Sequence, residues 1–298
     1  LDFACNEAAV PAYFGRKSDS ERFPGAEVTY SLEAMMGDRR ALQAATSHNL
    51  GQNFAKAFDI QYLDHNNELQ HCWTTSWGLS TRFIGAIIMT HGDDQGLILP
   101  PRLAPHQVVV VPIYKSETEK VQVQESVDRV HSALTDVGVR VKIDLREGLT
   151  PGFKFNDWEM RGVPLRIEIG PRDVVKGSVT LARRDVPGKR GKSFASQEGI
   201  ERHVPVLLDD IQQALLDRAT SFRDTNTYEP TDYKHFREIV ADGFAFARWC
   251  GRTSCEKTIK DETKASNRCI PLDQTDDSGP CVCCGQPANE RAYYARAY

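Results

Sequence analysis

The chain has 298 residues, of which 40% are hydrophobic, 26% charged and 9% aromatic, and its formal net charge at pH 7 is −4. This composition is typical of a globular protein and excludes collagen-like, coiled-coil and wholly disordered chains, while the length suits two or three domains. The longest uninterrupted aliphatic run, Val108 to Val111, is far shorter than the roughly 18 residues that span a bilayer, so we expect no integral membrane protein. The chain opens without Met or a basic-then-apolar leader, and we expect it to be part of a longer protein.

Residues 1–102 have the pattern of a mixed α and β segment. The sequence predicts a strand over residues 27–30, a helix over residues 31–36, and antiparallel strands over residues 61–63 and 70–73. A second helix is predicted because four apolar residues recur at helical spacing: Phe83, Ile84, Ile87 and Ile88. We expect it to end at Gly92 and a strand to follow over residues 96–99.

Prolines at 100, 101 and 105 mark a domain boundary, after which the pattern changes to strand, helix, strand. Strands are predicted over residues 108–113 and 139–143, and the helix between them has an apolar face made by Val123, Val127, Val130 and Leu134. Such a βαβ unit predicts a parallel or mixed sheet.

A short helix around residues 153–160 precedes Leu165-Arg166-Ile167-Glu168-Ile169, where apolar and charged residues alternate. The alternation predicts a strand with Arg166 and Glu168 pointing away from the buried face. Further along the chain we expect a strand over residues 179–184, a basic loop over 189–192, and two long helices over 203–223 and 232–249.

Basic residues are concentrated in one part of the chain. Residues 140–192 hold 13 Lys and Arg against 7 Asp and Glu, a local charge of +6 that leaves −10 for the remainder. A basic domain on an acidic protein is a candidate contact for a polyanion, although a solvated basic face is the alternative.

Six of the eight cysteines lie between residues 250 and 284, which indicates a local site. Two pairs, Cys250 with Cys255 and Cys281 with Cys284, have a spacing that closes a four-thiolate shell around Zn²⁺. A shell filled by four thiolates has no open position for water, so this zinc would be structural. Disulfides or unligated core thiols are the alternatives, and Cys283 could compete for a place in the shell.

Two polar clusters in the first hundred residues have a composition suited to a phosphate. Trp77-Gly78-Leu79-Ser80-Thr81-Arg82 places hydroxyls and a guanidinium at a helix start, and Gln43 to His48 group further polar side chains. Both clusters suit ordinary helix caps equally well, and a lone His48 is more often structural than catalytic.

Taken together, four motifs closely resemble prolyl-tRNA synthetase of the archaeal/eukaryotic-like kind with a C-terminal zinc domain. The motifs are residues 42–48 (LQAATSH), residues 51–56 (GQNFAK), residues 75–82 (TSWGLSTR) and residues 91–105 (HGDDQGLILPPRLAP). The resemblance continues through residues 150–155, the cysteine pairs and the final Ala297-Tyr298.

This resemblance implies a multidomain chain of the α/β and α+β classes. We expect part of a class II antiparallel-sheet catalytic domain over residues 1–103, an α/β anticodon-binding domain over residues 104–206, and a small α+β zinc-binding domain over residues 207–298.

The resemblance also implies a role for individual residues. Arg82 resembles the catalytic arginine that grips the ATP phosphates, and the other implied ATP contacts are Gln43, Thr46 and Ser80. The implied proline-binding residues are His48, Trp77 and Gly78. Glu159, Arg166 and Arg172 are implied as anticodon readers, and the terminal carboxylate of Tyr298 is implied to lie near the active site.

The implied activity is that of a proline–tRNA ligase, which activates L-proline with ATP and transfers it to tRNA(Pro). The implied cofactors are ATP with its Mg²⁺ and a structural Zn²⁺, and the implied setting is a cytoplasmic homodimer with no membrane partner. Two of the three class II signature motifs are missing from the chain, so we expect it to be an inactive C-terminal portion on its own. The alternative is a non-catalytic tRNA-binding module derived from a synthetase.

Overall fold

The computed structural model describes residues 1–274 and 278–298. Contacts divide the chain into two compact units, one of residues 1, 10–86 and 220–298 and the other of residues 2–9 and 87–219. We call them the first and the second unit. The domain boundaries after residues 103 and 206 stay a prediction.

The structure has the following elements. The strands are β1 (Ala12–Arg16), β2 (Val28–Met35), β3 (Ala41–Gly51), β4 (Gln61–Leu63), β5 (Leu69–His71), β6 (Thr74–Leu79), β7 (Val108–Pro112), β8 (Val141–Ile143), β9 (Leu165–Ile169), β10 (Ser178–Arg183), β11 (Lys192–Ser196), β12 (Thr227–Tyr228), β13 (Phe244–Trp249), β14 (Ser266–Pro271), β15 (Gly279–Pro280), β16 (Pro287–Ala288) and β17 (Glu290–Ala295). The α-helices are α1 (Asn53–Ala57), α2 (Arg82–His91), α3 (Glu117–Asp136), α4 (Pro151–Met160), α5 (Pro171–Lys176), α6 (Ile200–Thr225), α7 (Tyr233–Ile239) and α8 (Thr253–Thr263).

The first unit is built on an eight-stranded sheet in the order β12-β13-β17-β14-β1-β2-β3-β6. Every pairing in it is antiparallel except that of β12 with β13. β1 joins the two ends of the chain, since it pairs with β2 on one side and with β14 on the other. Gly15 permits this approach, because a Cβ at that position would lie 2.3 Å from the carbonyl oxygen of Ile270. The prediction of an antiparallel sheet is confirmed.

A buried ion cluster lies beside this junction. Glu33 of β2 is fully buried, and its two oxygens lie 2.7 Å from Lys17 Nζ and 2.8 Å from Arg268 Nη2. Lys17 Nζ also donates to the carbonyl oxygen of Arg268 at 2.6 Å. The cluster therefore ties residues from both ends of the chain together through charge-assisted hydrogen bonds.

The second unit is built on a five-stranded mixed sheet in the order β11-β10-β9-β7-β8. β7 runs parallel to β8 and β9, as the βαβ pattern predicts, while β10 and β11 are antiparallel to their neighbours. α3 packs on one face of the sheet through the apolar residues singled out in the sequence: Val123, Val127, Val130 and Leu134. It begins at Ser116, whose Oγ accepts a hydrogen bond from the Glu119 N–H at 3.2 Å, an ordinary N-cap.

Three elements differ from the sequence predictions. The helix predicted over residues 31–36 is wrong, because residues 31–35 belong to β2 and residues 31–34 are paired with strands on both sides. The helix predicted over residues 232–249 is also wrong: α7 ends at Ile239, and β13 follows a turn through Gly243. Residues 96–99 form no strand ladder, since the N–H groups of Leu97 and Leu99 donate to carbonyl oxygens at the end of α4 and just beyond it.

The apolar face predicted for α2 is buried only in part. Phe83 is 2% exposed, whereas Ile84 is 61% exposed and Ile88 is exposed as well. Within the part of the chain that the structure describes, no helix has the length and apolar character needed to cross a membrane.

Candidate functional site

A cavity of about 340 Å³ in the first unit is lined by all of the residues that the sequence assigned to ATP and proline. They are Gln43, Thr46, His48, Trp77, Gly78, Ser80 and Arg82. β3 and β6 carry five of them, and the other two stand where β6 passes into α2. The structure thus brings residues that are far apart in the sequence into one site.

The register of β3 against β6 explains this arrangement. Thr46 pairs with Gly78 and His48 with Ser76, so these side chains share one face of the sheet. A Cβ built at Gly78 meets no atom within 4 Å, which leaves open space above that position. A ligand can therefore approach the main chain closely at Gly78.

Ser80 and Arg82 lie at the start of the ten-residue helix α2. Ser80 Oγ accepts the Arg82 N–H at 3.3 Å in the turn that leads into the helix. The Arg82 side chain is exposed at the positive end of the helix dipole. Helix end and guanidinium together favour an anion at this edge of the cavity.

His48 is held in place from both sides. Its Nδ1 lies 2.9 Å from Thr29 Oγ1, and its ring centroid is 4.8 Å from that of Phe23. Burial lowers the pKa of His48, so the ring is neutral at pH 7. A neutral, oriented imidazole offers hydrogen bonding to a ligand without adding charge.

The second unit brings two of the three predicted anticodon residues together. Arg166 Nη1 lies 2.7 Å from Glu159 Oε1, and Arg166 Nε lies 3.1 Å from Glu168 Oε1. α4 presents Glu159, because Thr150 caps this helix and Pro151 occupies its first turn. Arg172 is exposed on α5, and it has no ion pair among the described residues.

The prediction that Arg166 and Glu168 point outward needs correction. Both face away from the main core, as strand alternation requires, but each residue is only 7% exposed. The reason is that the ring centroid of Phe155 of α4 lies 4.1 Å from the Arg166 guanidinium, while Glu168 is paired with Arg166 and Lys192. The sequence placed Lys192 in a basic loop, whereas in the structure it is the first residue of β11 and its Nζ lies 2.9 Å from Glu168 Oε1.

The four cysteines of the predicted zinc shell converge in the first unit. Cys250, Cys255, Cys281 and Cys284 have sulfur atoms that all lie within 4.8 Å of one another, and two of the separations are 3.6 and 3.7 Å. A disulfide needs about 2.05 Å, whereas tetrahedral zinc with Zn–S bonds of about 2.3 Å requires sulfur atoms about 3.8 Å apart. The donor set therefore fits zinc.

The backbone around the four cysteines holds two of them in one turn. Cys281 and Cys284 share a tight turn in which the Gly285 N–H donates to the Cys281 carbonyl oxygen at 2.9 Å, and Gly285 has a φ of +71°. Burial raises the pKa of the Cys255 thiol, while a backbone hydrogen bond from Gln286 lowers that of Cys284 to about 7. Cys269 and Cys283 lie outside the converging set.

The end of the chain lies beside the start of β3. The Tyr298 N–H donates to the Ala41 carbonyl oxygen at 3.3 Å, and the Tyr298 hydroxyl donates to Asp38 Oδ2 at 2.5 Å. Ala41 precedes the cavity residue Gln43 by two positions in the same strand.

Comparison with known proteins gives consistent matches. Residues 107–198 match the anticodon binding domain family, and residues 233–298 match the C-terminal domain of prolyl-tRNA synthetase. The chain is 54% identical over 297 residues to the proline–tRNA ligase of Roseiflexus castenholzii, covering 100% of this chain and 62% of that protein. It is 51% identical to the chloroplastic/mitochondrial proline–tRNA ligase of Arabidopsis thaliana, covering 99% of this chain and 55% of that protein.

A crystal structure of prolyl-tRNA synthetase from Cryptosporidium parvum, complexed with L-proline and AMP, superposes with a TM-score of 0.91 at 38% sequence identity. The alignment covers 100% of this chain and 64% of that one. The chain therefore spans less than two thirds of the length of these relatives.

Proposed function

Because the chain belongs to the prolyl-tRNA synthetase family and spans 62% of its Roseiflexus castenholzii relative, we propose that it is part of a proline–tRNA ligase. The complete protein would activate L-proline with ATP and transfer it to tRNA(Pro). The observation that carries this proposal is the single cavity of about 340 Å³ lined by all the residues assigned to ATP and proline.

In the first step the proline carboxylate attacks the α-phosphate of ATP, and pyrophosphate leaves as the bond to the β-phosphate breaks. Such a displacement is catalysed mainly by alignment and by stabilisation of negative charge. Arg82 and the start of α2 supply positive charge at one edge of the cavity. Gln43, Thr46 and Ser80 would hold the nucleotide beside them, with Mg²⁺ bound to its phosphates.

The proline would lie near His48, Trp77 and Gly78. The neutral ring of His48, fixed by Thr29, provides an oriented hydrogen-bonding group, and the open space at Gly78 admits the substrate. Trp77 also lines the cavity, and it is 79% exposed.

The second unit would read the anticodon through Glu159, Arg166 and Arg172. Proline anticodons share two guanines, and arginine can pair with guanine O6 and N7 while a carboxylate accepts from the guanine N1 and N2 donors. The ion pair between Arg166 and Glu159 supports this proposal, because it holds both groups in a defined orientation before RNA binds.

The cysteine cluster would hold a structural Zn²⁺ through Cys250, Cys255, Cys281 and Cys284. When bound, the ion would cross-link β13, α8 and the turn before β16, with no open coordination position for chemistry.

The contact of Tyr298 with the first residue of β3 supports the proposal that the carboxylate of Tyr298 lies near the reaction site.

The remaining length of the relatives would supply the other ATP and proline ligands and the dimer contacts of a cytoplasmic homodimer. Exposed apolar side chains around the cavity, among them Trp77 and Leu79, support the view that further chain covers this region.

Proline-dependent exchange of pyrophosphate into ATP tests the proposal. We expect exchange by the full-length protein and none above background by residues 1–298 alone. Arg82→Ala in the full-length protein should reduce exchange at least a hundredfold, by analogy with the loss of one preorganised charge-stabilising donor. Arg237→Ala, an exposed arginine on α7, is the matched control and should leave the rate unchanged. Absence of exchange by the full-length protein would instead favour a tRNA-binding module.

A further inference from the structure

The face of the five-stranded sheet opposite α3 is covered over only part of its width. α4 packs against β7 there through Trp158 and Phe155, which contact Val109 and Val111. Phe155 reaches as far as Arg166 of β9. Thr180 of β10 and the side chains of β11 on this face lie beyond this cover, and β11 is the edge strand of the sheet.

The strand register shows which side chains lie on this face of β9, β10 and β11. Directly paired residues share a face of a sheet, so two rows cross it from β9 to β11. The rows are Arg166–Ala182–Lys192 and Glu168–Thr180–Phe194. The intervening residues of β10, Val179 and Leu181, are buried in the main core on the opposite face.

The resulting shelf has a small-residue floor between an aromatic wall and an aromatic edge. Thr180, which is half-buried, forms the floor, and Ala182 beside it is buried. Phe155 forms the wall, with the Arg166 guanidinium 4.1 Å and Lys192 Nζ 5.5 Å from its ring centroid. Phe194 forms the edge, and it is 78% exposed, although a phenylalanine on a polar edge strand gains nothing from contact with water.

The charged side chains around the shelf indicate which class of ligand it can bind. Lys189 and Arg190 are exposed in the turn before β11, and neither has an ion pair among the described residues. Glu159 and Glu168 lie on the other side, next to Arg166. A nucleobase with its phosphate matches this arrangement, because a flat ring stacks on an aromatic side chain, its edge donates to carboxylates, and its phosphate contacts cations.

We propose that this shelf takes one unstacked base of the tRNA anticodon loop, and that Phe194 is the side chain on which the base stacks. The inference rests on the proposed tRNA-binding function and adds to it a recognition residue outside the set Glu159, Arg166 and Arg172. Lys189 and Arg190 then contact the backbone phosphate of the same nucleotide.

The test measures binding of the full-length protein to an anticodon stem-loop of tRNA(Pro) that carries 2-aminopurine at one loop position at a time. Stacking on an aromatic side chain contributes about 1–3 kcal/mol per base, so Phe194→Ala should weaken binding about fivefold to 150-fold. Phe194→Trp should retain the affinity, because it keeps a flat ring. At one loop position the fluorescence should be quenched on binding to the wild type and to Phe194→Trp, but not to Phe194→Ala.

Two further variants separate stacking from simple apolar burial. Phe194→Leu keeps an apolar side chain without a ring and should bind as weakly as Phe194→Ala, and wild-type affinity for Phe194→Leu would overturn the proposal. Val175→Ala removes an apolar side chain that is 87% exposed elsewhere in the second unit and should bind like the wild type.

All variants should retain pyrophosphate exchange, which does not require tRNA. If the wild type fails to bind the stem-loop, the proposed function itself is wrong, whereas equal binding by the wild type and Phe194→Ala would refute this inference alone.

Discussion

Arg166 is oriented by its neighbours before any ligand arrives. Two carboxylates hold its guanidinium at 2.7 and 3.1 Å, and the ring of Phe155 lies 4.1 Å from it. A planar guanidinium with several fixed partners loses little freedom on binding a base, which favours discrimination between bases over plain attraction. Its burial therefore supports a role in recognition that an exposed, mobile arginine would perform less well.

We expect Arg166→Ala to weaken charging of tRNA(Pro) by about 1–3 kcal/mol in kcat/KM, the usual contribution of one bidentate base contact. Proline-dependent pyrophosphate exchange should be unchanged, because the cavity proposed for that reaction lies in the other unit. Arg166→Lys should lose less kcat/KM than Arg166→Ala, because lysine keeps the positive charge but cannot form a bidentate contact with a base.

Arg129→Ala serves as the control for this comparison, since Arg129 is an exposed arginine on α3. Parallel loss of charging and of exchange in Arg166→Ala would contradict a recognition role and indicate damage to the fold.

At the scale of elements, the sequence predictions were correct where apolar residues recur at helical or strand spacing within the element itself. α3 and the βαβ unit were predicted because their apolar residues recur at helical and strand spacing. Residues 31–36 and 232–249 were predicted wrongly because pairing with distant strands decides their conformation, and no local pattern reports such pairing.

The same distinction applies to the candidate site. The motif around Ser80 and Arg82 suited a helix cap and a phosphate equally well, and in the structure Ser80 makes a turn hydrogen bond to Arg82 at the start of α2. Resemblance to a family, rather than residue pattern, singled out the cavity residues. The contact of Lys192 with Glu168 depends on the register of three strands, so the sequence alone did not predict it.

The cysteine turn allows a direct prediction for metal. We expect one Zn²⁺ per chain in metal analysis of purified protein, and loss of that ion in Cys255→Ser, because three thiolates leave the shell incomplete. Unfolding should then begin in α8 and the turn before β16, which the metal would otherwise hold together.

Cys72→Ser is the matched control, since Cys72 lies outside the converging set and should leave the zinc content at one per chain. A wild-type protein free of zinc, or a Cys255→Ser variant that keeps it, would contradict the assignment.

At the scale of the whole molecule, the main sheet of the first unit is assembled from two distant parts of the chain. β1 and β14 form its seam, and the carboxylate of Glu33 lies beside it with two cationic partners. Buried charges are stable only while their partners remain, so the cluster makes the two parts depend on each other.

We expect Glu33→Gln to lower the free energy of unfolding by about 3–5 kcal/mol, because Lys17 and Arg268 would be left buried without a counter-charge. Urea denaturation gives the magnitude, and amide hydrogen exchange should show protection lost in β2 and in β14 alike.

Glu290→Gln removes the carboxylate of a half-exposed pair with Arg16 in the same sheet and should cost less than about 1 kcal/mol. If the two variants prove equally stable, the buried cluster does not join the two parts as described.

The seam between β1 and β14 also fixes the order of events during synthesis. The five strands of the second unit lie between Val108 and Ser196, so that sheet has all its strands as soon as this stretch has left the ribosome. β1, by contrast, must wait for β14, and β14 for β17 at residues Glu290–Ala295. One edge of β1 therefore stays unpaired until β14 has been made, and an unpaired edge of this kind can pair wrongly with another chain.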